Sequence, residues 1–216
     1  MKVTSINVAT AETIQNGKSS GLTGIFKRPV SGPALVTAAG LAGDAIVNRK
    51  HHGGPDQAVY LYTTGDYDWW AAKLDRALEP GTFGENLTIE GLQSADLVIG
   101  DRLEIGDVLL EVTAPRIPCS NLAARMGDRQ FVKRFRAAER PGAYLRVLRE
   151  GHVEAGDEVK LVHYEGEPLT VLEMFREFYN EAPDEAMIRR HLAAPVASRA
   201  REHQEQRLAK LLAAGR

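Results

Sequence analysis

What most constrains this chain is how often it is made to turn. Gly-Asp pairs stand at Gly43-Asp44, Gly100-Asp101, Gly106-Asp107 and Gly156-Asp157. Glycine takes positive φ without steric cost and aspartate bonds nearby backbone, so each pair suits a tight turn. The segments between turns are short and strand-like. In 108–113, Val108, Leu110 and Val112 fall on one face, the alternation of a half-buried strand. Similar runs occupy 58–62, 85–89, 143–148 and 158–162. Many short strands with frequent turns predict a mainly β domain over 1–162, an antiparallel barrel or sandwich with a few inserted helices. One inserted helix is expected where Tyr67, Trp70, Ala71, Leu74 and Leu78 recur at helical spacing, with Pro80-Gly81 as its stop. A second is expected over 129–138.

After a polar joint at 163–168 the pattern changes. Leu172, Phe175 and Tyr179 share a helical face, as do Ile188 with Leu192, and Leu208 with Leu211 and Leu212. Pro183 and Pro195 divide these into three short helices, a small extension over 168–216. Helices this short are marginal alone and must pack on each other or on the strands.

Composition narrows the function classes. A net charge of −2 gives no general attraction to nucleic acid or an anionic membrane, so neither stable nucleic-acid binding nor membrane association is expected. No apolar run is long enough to span a bilayer. The single cysteine cannot form an intramolecular disulfide, and the first residues read as a strand rather than a signal peptide, so the cytoplasm is the expected compartment. A homodimer stays open.

That cysteine is the first candidate for chemistry. A lone cysteine is more often a small core residue than a reactive one. Cys119, however, follows two prolines and an arginine in Pro115-Arg116-Ile117-Pro118-Cys119, just beyond a strand end. A stiffened loop is a poor place for core filling. Arg116 favours the thiolate, the nucleophilic and metal-binding form. The second candidate is 48–57, where Arg49 and Lys50 supply charge and Gly53 and Gly54 let backbone N–H groups approach an anion. The adjacent His51 and His52 have neither the spacing nor the partners of a zinc site; an exposed polar turn is the plainer alternative. The third is 83–89, where Asn86 can donate and accept at the mouth of the fold, although a simple turn into a strand explains that segment equally well. No serine-triad, P-loop or dinucleotide fingerprint is present.

Taken in order, Gly40-Leu41-Ala42-Gly43-Asp44, His52-Gly53-Gly54, Phe83-Gly84-Glu85-Asn86-Leu87, Ile99-Gly100-Asp101, the Cys119 loop and Gly142-Ala143-Tyr144 with Val147 resemble the MOSC family, named after the C-terminal part of molybdenum cofactor sulfurases. The trailing helices resemble the three-helix extension of a bacterial subgroup linked to resistance against 6-N-hydroxylaminopurine. The resemblance implies a β-barrel, a molybdopterin-type molybdenum cofactor, and a cysteine bound to molybdenum, for which Cys119 is the matching position. It implies further cofactor contacts at Lys27 and Ser31, beside Arg116, Arg49, His52, Gly53 and Asn86. The activity implied is reduction of N-hydroxylated bases or amines, with electrons from a separate redox protein. A sulfur carrier working through a Cys119 persulfide is the alternative.

Overall fold

The structure is a computed structural model that describes residues 1–17, 19–47 and 53–214. The first strands are β1 (Lys2–Val8), β2 (Glu12–Asn16), β3 (Ser19–Thr23), β4 (Arg28–Pro29), β5 (Ala34–Thr37) and β6 (Gly40–Leu41). Then come β7 (Val59–Thr63), helix α1 (Thr64–Leu74), β8 (Leu87–Glu90), β9 (Arg102–Ile105) and β10 (Val108–Pro115). Helices α2 (Ser120–Met126) and α3 (Phe131–Ala138) precede β11 (Ala143–Arg149), β12 (Gly151–Val153) and β13 (Lys160–Val162). Three helices end the chain: α4 (Val171–Phe178), α5 (Glu185–Ala193) and α6 (Ser198–Ala214).

Eight strands form one sheet in the order β13-β9-β10-β11-β7-β8-β1-β4. All neighbours are antiparallel except β7 and β8, which run parallel because α1 carries the chain back between them. The expected barrel is corrected here: among the described residues the strands do not close. The two end strands, β13 and β4, are only 3 and 2 residues long and do not pair with each other. The ends are linked instead by a bridge between Lys2 and Glu158 and by backbone bonds from Val3 to Asp157 (2.9 Å) and from Val159 to Met1 (2.9 Å). With six α-helices beside the strands among the described residues, the architecture is a mixed α and β fold.

Local chemistry explains the element boundaries. Helix α1 starts where the Thr63 hydroxyl accepts from the Asp66 N–H, and ends at Asp75 in the left-handed region (φ 50°). Leu78, expected within this helix, therefore lies beyond it, and the stop comes before Pro80-Gly81. Helix α4 carries a full capping box, with Thr170 and Glu173 each satisfying the other's N–H.

Two apolar clusters result. The larger joins both sheet halves and draws in Leu169, Val171, Met174 and Ala197 from the C-terminal segment, with Ala200 packed against it, so α4 and α6 rest on the same core as the strands. The smaller is aromatic: Tyr62, Trp70, Phe83, Phe131 and Phe135 pack together. Trp70 sits in the core as its helical position predicts, donating to the Tyr62 hydroxyl at 2.8 Å. Full burial of a side chain such as Phe83 contributes roughly 1.5–3 kcal/mol. This aromatic layer supports the floor on which the functional residues stand.

Candidate functional site

Beyond β10 the chain leaves regular structure at Arg116-Ile117-Pro118 and turns into α2, with Cys119 as its N-cap. This helix was not legible in the sequence; at seven residues it shows no apolar period, and only Gly127, left-handed at its C-cap (φ 66°), marks it. Cys119 is partly exposed at the edge of a recess of about 110 Å³. Lys27, Gly53, Asn86 and Arg116 line the same recess, together with Tyr60 and Tyr144. The fold thus gathers five of the sequence candidates, Cys119 among them, from four separate segments. Ser31 is exposed and does not line the recess. Arg49 and His52 lie outside the described residues. Gly53 adopts φ +76°, and a Cβ there would meet Ile46 at 2.8 Å, so glycine is required at this position.

Arg116 is 4% exposed and its guanidinium lies over the Tyr60 ring at 5.2 Å and the Phe135 ring at 5.9 Å. Both are cation–π contacts in a desolvated setting. Burial works against its charge, but the oxygens of Tyr60 and Tyr144 and the Cys119 sulfur hold its pKa above the ordinary value. Its Nη1 is buried without a protein partner. A buried guanidinium N–H without a partner is costly, which makes Nη1 a donor in want of an acceptor.

Lys27 is 7% exposed and forms a buried ion pair with Asp44. Burial lowers its pKa and the Asp44 carboxylate opposes that shift. Asp44 also accepts from the Ala9 N–H at 2.9 Å and from Asn86 Nδ2 at 2.9 Å. Asn86 completes the junction: its Oδ1 accepts from the Tyr60 N–H at 3.1 Å, and Nδ2 also reaches the Asn7 carbonyl at 3.3 Å. Asn86 therefore lines the recess while its amide is occupied in joining β1, β7 and the Asp44 turn. Asp44 belonged to a segment quoted for the family resemblance but had no role assigned to it.

Arg125 was missed altogether. From α2 it donates to the carbonyls of Ile25 and Lys27, the latter at 3.4 Å, and so holds the Lys27 segment against the Cys119 helix. Nothing in the local sequence of Arg125 signals this, because its partners lie about a hundred residues away. Asn121 does similar work at the hairpin of β2 and β3, bonding Asn16 at 3.3 Å and Thr23 at 3.4 Å.

Below the recess Glu85 is fully buried. It accepts from the Tyr67 hydroxyl (2.6 Å), the Gly81 N–H (2.6 Å) and the Thr88 hydroxyl (3.0 Å). Burial raises its pKa against the effect of these donors. Among the described residues, no group of three or more His, Cys, Asp and Glu side chains could cage a metal ion. Nor, among the described residues, does any helix have the length and apolarity to cross a membrane.

A thiol, a buried arginine and a buried lysine thus line one recess. A family model described as the MOSC domain matches residues 48–160. The chain belongs to the MOSC family. Within that family it is similar to YflK of Bacillus subtilis (strain 168), at 32% identity over 196 residues, covering 91% of this chain and 89% of that one. A protein of Gibberella moniliformis named "Reductase" is 35% identical over 144 residues, 64% of this chain but only 25% of its own length. Among solved structures, YiiM from Geobacillus stearothermophilus superposes with a TM-score of 0.79 at 30% identity, covering 96% of this chain and 98% of YiiM. The MOSC match takes in Cys119, Arg116, Asn86 and Gly53, whereas Lys27 and Asp44 precede it.

Proposed function

We propose that this MOSC protein holds a molybdopterin-type molybdenum cofactor at the recess and reduces N-hydroxylated bases or amines. One observation carries the reading. The recess places a thiol beside two buried cations, Lys27 and Arg116, and no Asp or Glu lines it among the described residues. A soft thiolate suits a soft metal centre. Two desolvated cations, one with an unsatisfied N–H, suit an anionic phosphate or dithiolene-bearing pterin. The donor set therefore fits the group.

In this reading Cys119 is the metal ligand. Arg116 presents its planar fork to the anionic portion and steadies the thiolate, while Lys27, held by Asp44, supplies a second positive contact. Tyr60 and Tyr144 wall the recess and restrict water. At about 110 Å³ the recess is smaller than the roughly 300–1,000 Å³ of pockets that enclose drug-sized ligands, so it would receive one end of a pterin rather than the whole. When bound, the cofactor supplies the two-electron chemistry. The net reaction takes R–NHOH, two electrons and two protons to R–NH2 and water, and a separate redox protein would deliver the electrons. The fungal relative named as a reductase is in keeping with this class.

The test is to purify wild type and Cys119→Ser from a molybdenum-replete host, then measure molybdenum, pterin and dye-driven reduction of an N-hydroxylated purine. Wild type should carry both and turn over, and the variant should lose molybdenum while melting at the same temperature. Wild type without molybdenum, or a fully active variant, refutes the reading. Persulfide sulfur on Cys119 in place of molybdenum would indicate a sulfur carrier.

A further inference from the structure

We propose that a second cavity, between the end of β10 and the C-terminal helices, binds a small neutral aromatic amide or lactam. The cavity has a volume of about 240 Å³. Ile117, Met174 and Phe178 give it apolar walls, and Gln57, His191 and Gln204 bring polar ones. Cys119 does not line it, so the cavity is separate from the thiol chemistry.

Unsatisfied polar groups gather here. Among the described residues, seven buried side-chain nitrogen or oxygen atoms have no protein partner. Three of them, Gln57 Oε1, His191 Nε2 and Gln204 Oε1, belong to residues of this one cavity. Native folds leave few such atoms, so three around one void call for a ligand that pairs with them. His191 and Gln204 are 2% and 7% exposed, and they bond one another at 3.2 Å through Nδ1 and the glutamine amide nitrogen. An amide nitrogen only donates, so Nδ1 accepts, Nε2 carries the ring proton, and the pair offers an N–H donor and a C=O acceptor. Turning the amide over reverses the tautomer as well, and one donor and one acceptor are again left unpaired. Gln57 Oε1 adds a second acceptor.

The groups left to recognise a ligand are neutral. Burial, then Arg190 and Arg207, push the His191 pKa down to about 4 against the pull of Glu173, so the imidazole is uncharged at pH 7. Arg207 also lines the cavity, but it already donates to the Asn180 carbonyl. A neutral donor and acceptor complement the C=O and N–H edge of an amide, which presents the reverse pair. A carboxylate has no N–H to give either glutamine oxygen. The volume falls below the roughly 300–1,000 Å³ of pockets for drug-sized ligands, which limits the apolar body to one or two rings. Phe178 is 56% exposed, so such a ring enters from solvent along its edge.

The experiment is isothermal titration calorimetry of the full chain with benzamide, with acetophenone (the same shape with CH3 in place of NH2) and with benzoate. Benzamide should bind about tenfold more tightly than either, the effect of one well-made hydrogen bond. Gln204→Leu removes the acceptor and the Nδ1 partner, and should bring benzamide down to the affinity of acetophenone while leaving acetophenone unchanged. Phe178→Ala alters an exposed residue and should fold normally, yet it should weaken benzamide and acetophenone alike, severalfold, because only ring contact is lost. No saturable heat up to about 10 mM benzamide, acetophenone or benzoate bound as tightly as benzamide, or unchanged benzamide affinity in either variant would overturn the proposal. Should Gln204→Leu fail to fold, the ligand comparison and Phe178→Ala decide.

Discussion

Replacing Asp44 by Asn should be among the most damaging single changes near the site, and the structure fixes its size. Asp44 and Lys27 have side-chain exposures of 3% and 8%, so the pair is desolvated. One carboxylate oxygen accepts from Ala9, and the other accepts from both Lys27 and Asn86. An Asn amide can keep its oxygen toward Ala9, but its NH2 then faces two donors. If the amide flips, the clash moves to the Ala9 N–H. Either way a buried ammonium is left uncompensated, which costs about 3–5 kcal/mol. A ceiling follows from the alternative of discharging Lys27. Moving a lysine of ordinary pKa near 10.4 to neutrality at pH 7 costs about 4.6 kcal/mol, at about 1.36 per unit over roughly 3.4 units. The sign of the pH dependence follows. The folded-state pKa of Lys27 lies below its unfolded value of 10.5 and drops further without Asp44, so the unfolded chain binds more protons between the two values. Stability of the variant should therefore recover as pH rises from 7 toward 9.5. Urea denaturation followed by Trp fluorescence, with buried Trp70 as reporter, measures it. Adding Lys27→Met to Asp44→Asn should restore part of the loss. A loss below about 1 kcal/mol, or one that does not shrink with pH, would refute the account of a buried, uncompensated lysine.

Three further outcomes are expected. Gly142→Ala should destabilise by roughly 2–5 kcal/mol, about 1–2 from left-handed backbone and about 1–3 from overpacking, because φ is +64° and a Cβ would lie 2.5 Å from the Leu61 carbonyl; thermal melts check this. Arg116→Ala should slow iodoacetamide alkylation of Cys119 at neutral pH about tenfold, the effect of one pKa unit, whereas Arg116→Lys should slow it less; equal rates in wild type and Arg116→Ala would remove Arg116 as the activating cation. The phenols of Tyr60, Tyr62, Tyr67 and Tyr144 are all held above the ordinary value of 10.0, with burial as the largest cause. The stability they contribute is complete below pH 10 and is lost as pH rises through their folded values, so absorbance at 295 nm should show them ionising only with unfolding.

The short strands, their Gly-Asp turns and the three C-terminal helices were legible because each depends on neighbours two to four residues apart. Cys119 and Arg116 were legible for the same reason: a proline-stiffened loop after a strand advertises itself locally. The ordered motifs extended this to the family, and the MOSC match bears that out. The sequence also placed Trp70 in the core, because helical periodicity decides which way a helix residue points. Its reach ended where pairing is non-local. Whether the sheet closes depends on end strands of 3 and 2 residues and a bridge from Lys2 to Glu158, none of which has a local signature. Asp44 becomes the clamp on Lys27 and Asn86 only when segments 17 and 42 residues away arrive beside it. Arg125 holds a carbonyl 100 residues distant. Ser31 and Lys27 stand four residues apart, yet one is exposed and the other buried in the recess. Local spacing thus set the elements and singled out the Cys119 loop. Tertiary packing decided which charges face it, because burying a charge is tolerable only where the fold brings its counter-charge and hydrogen-bond partners into contact.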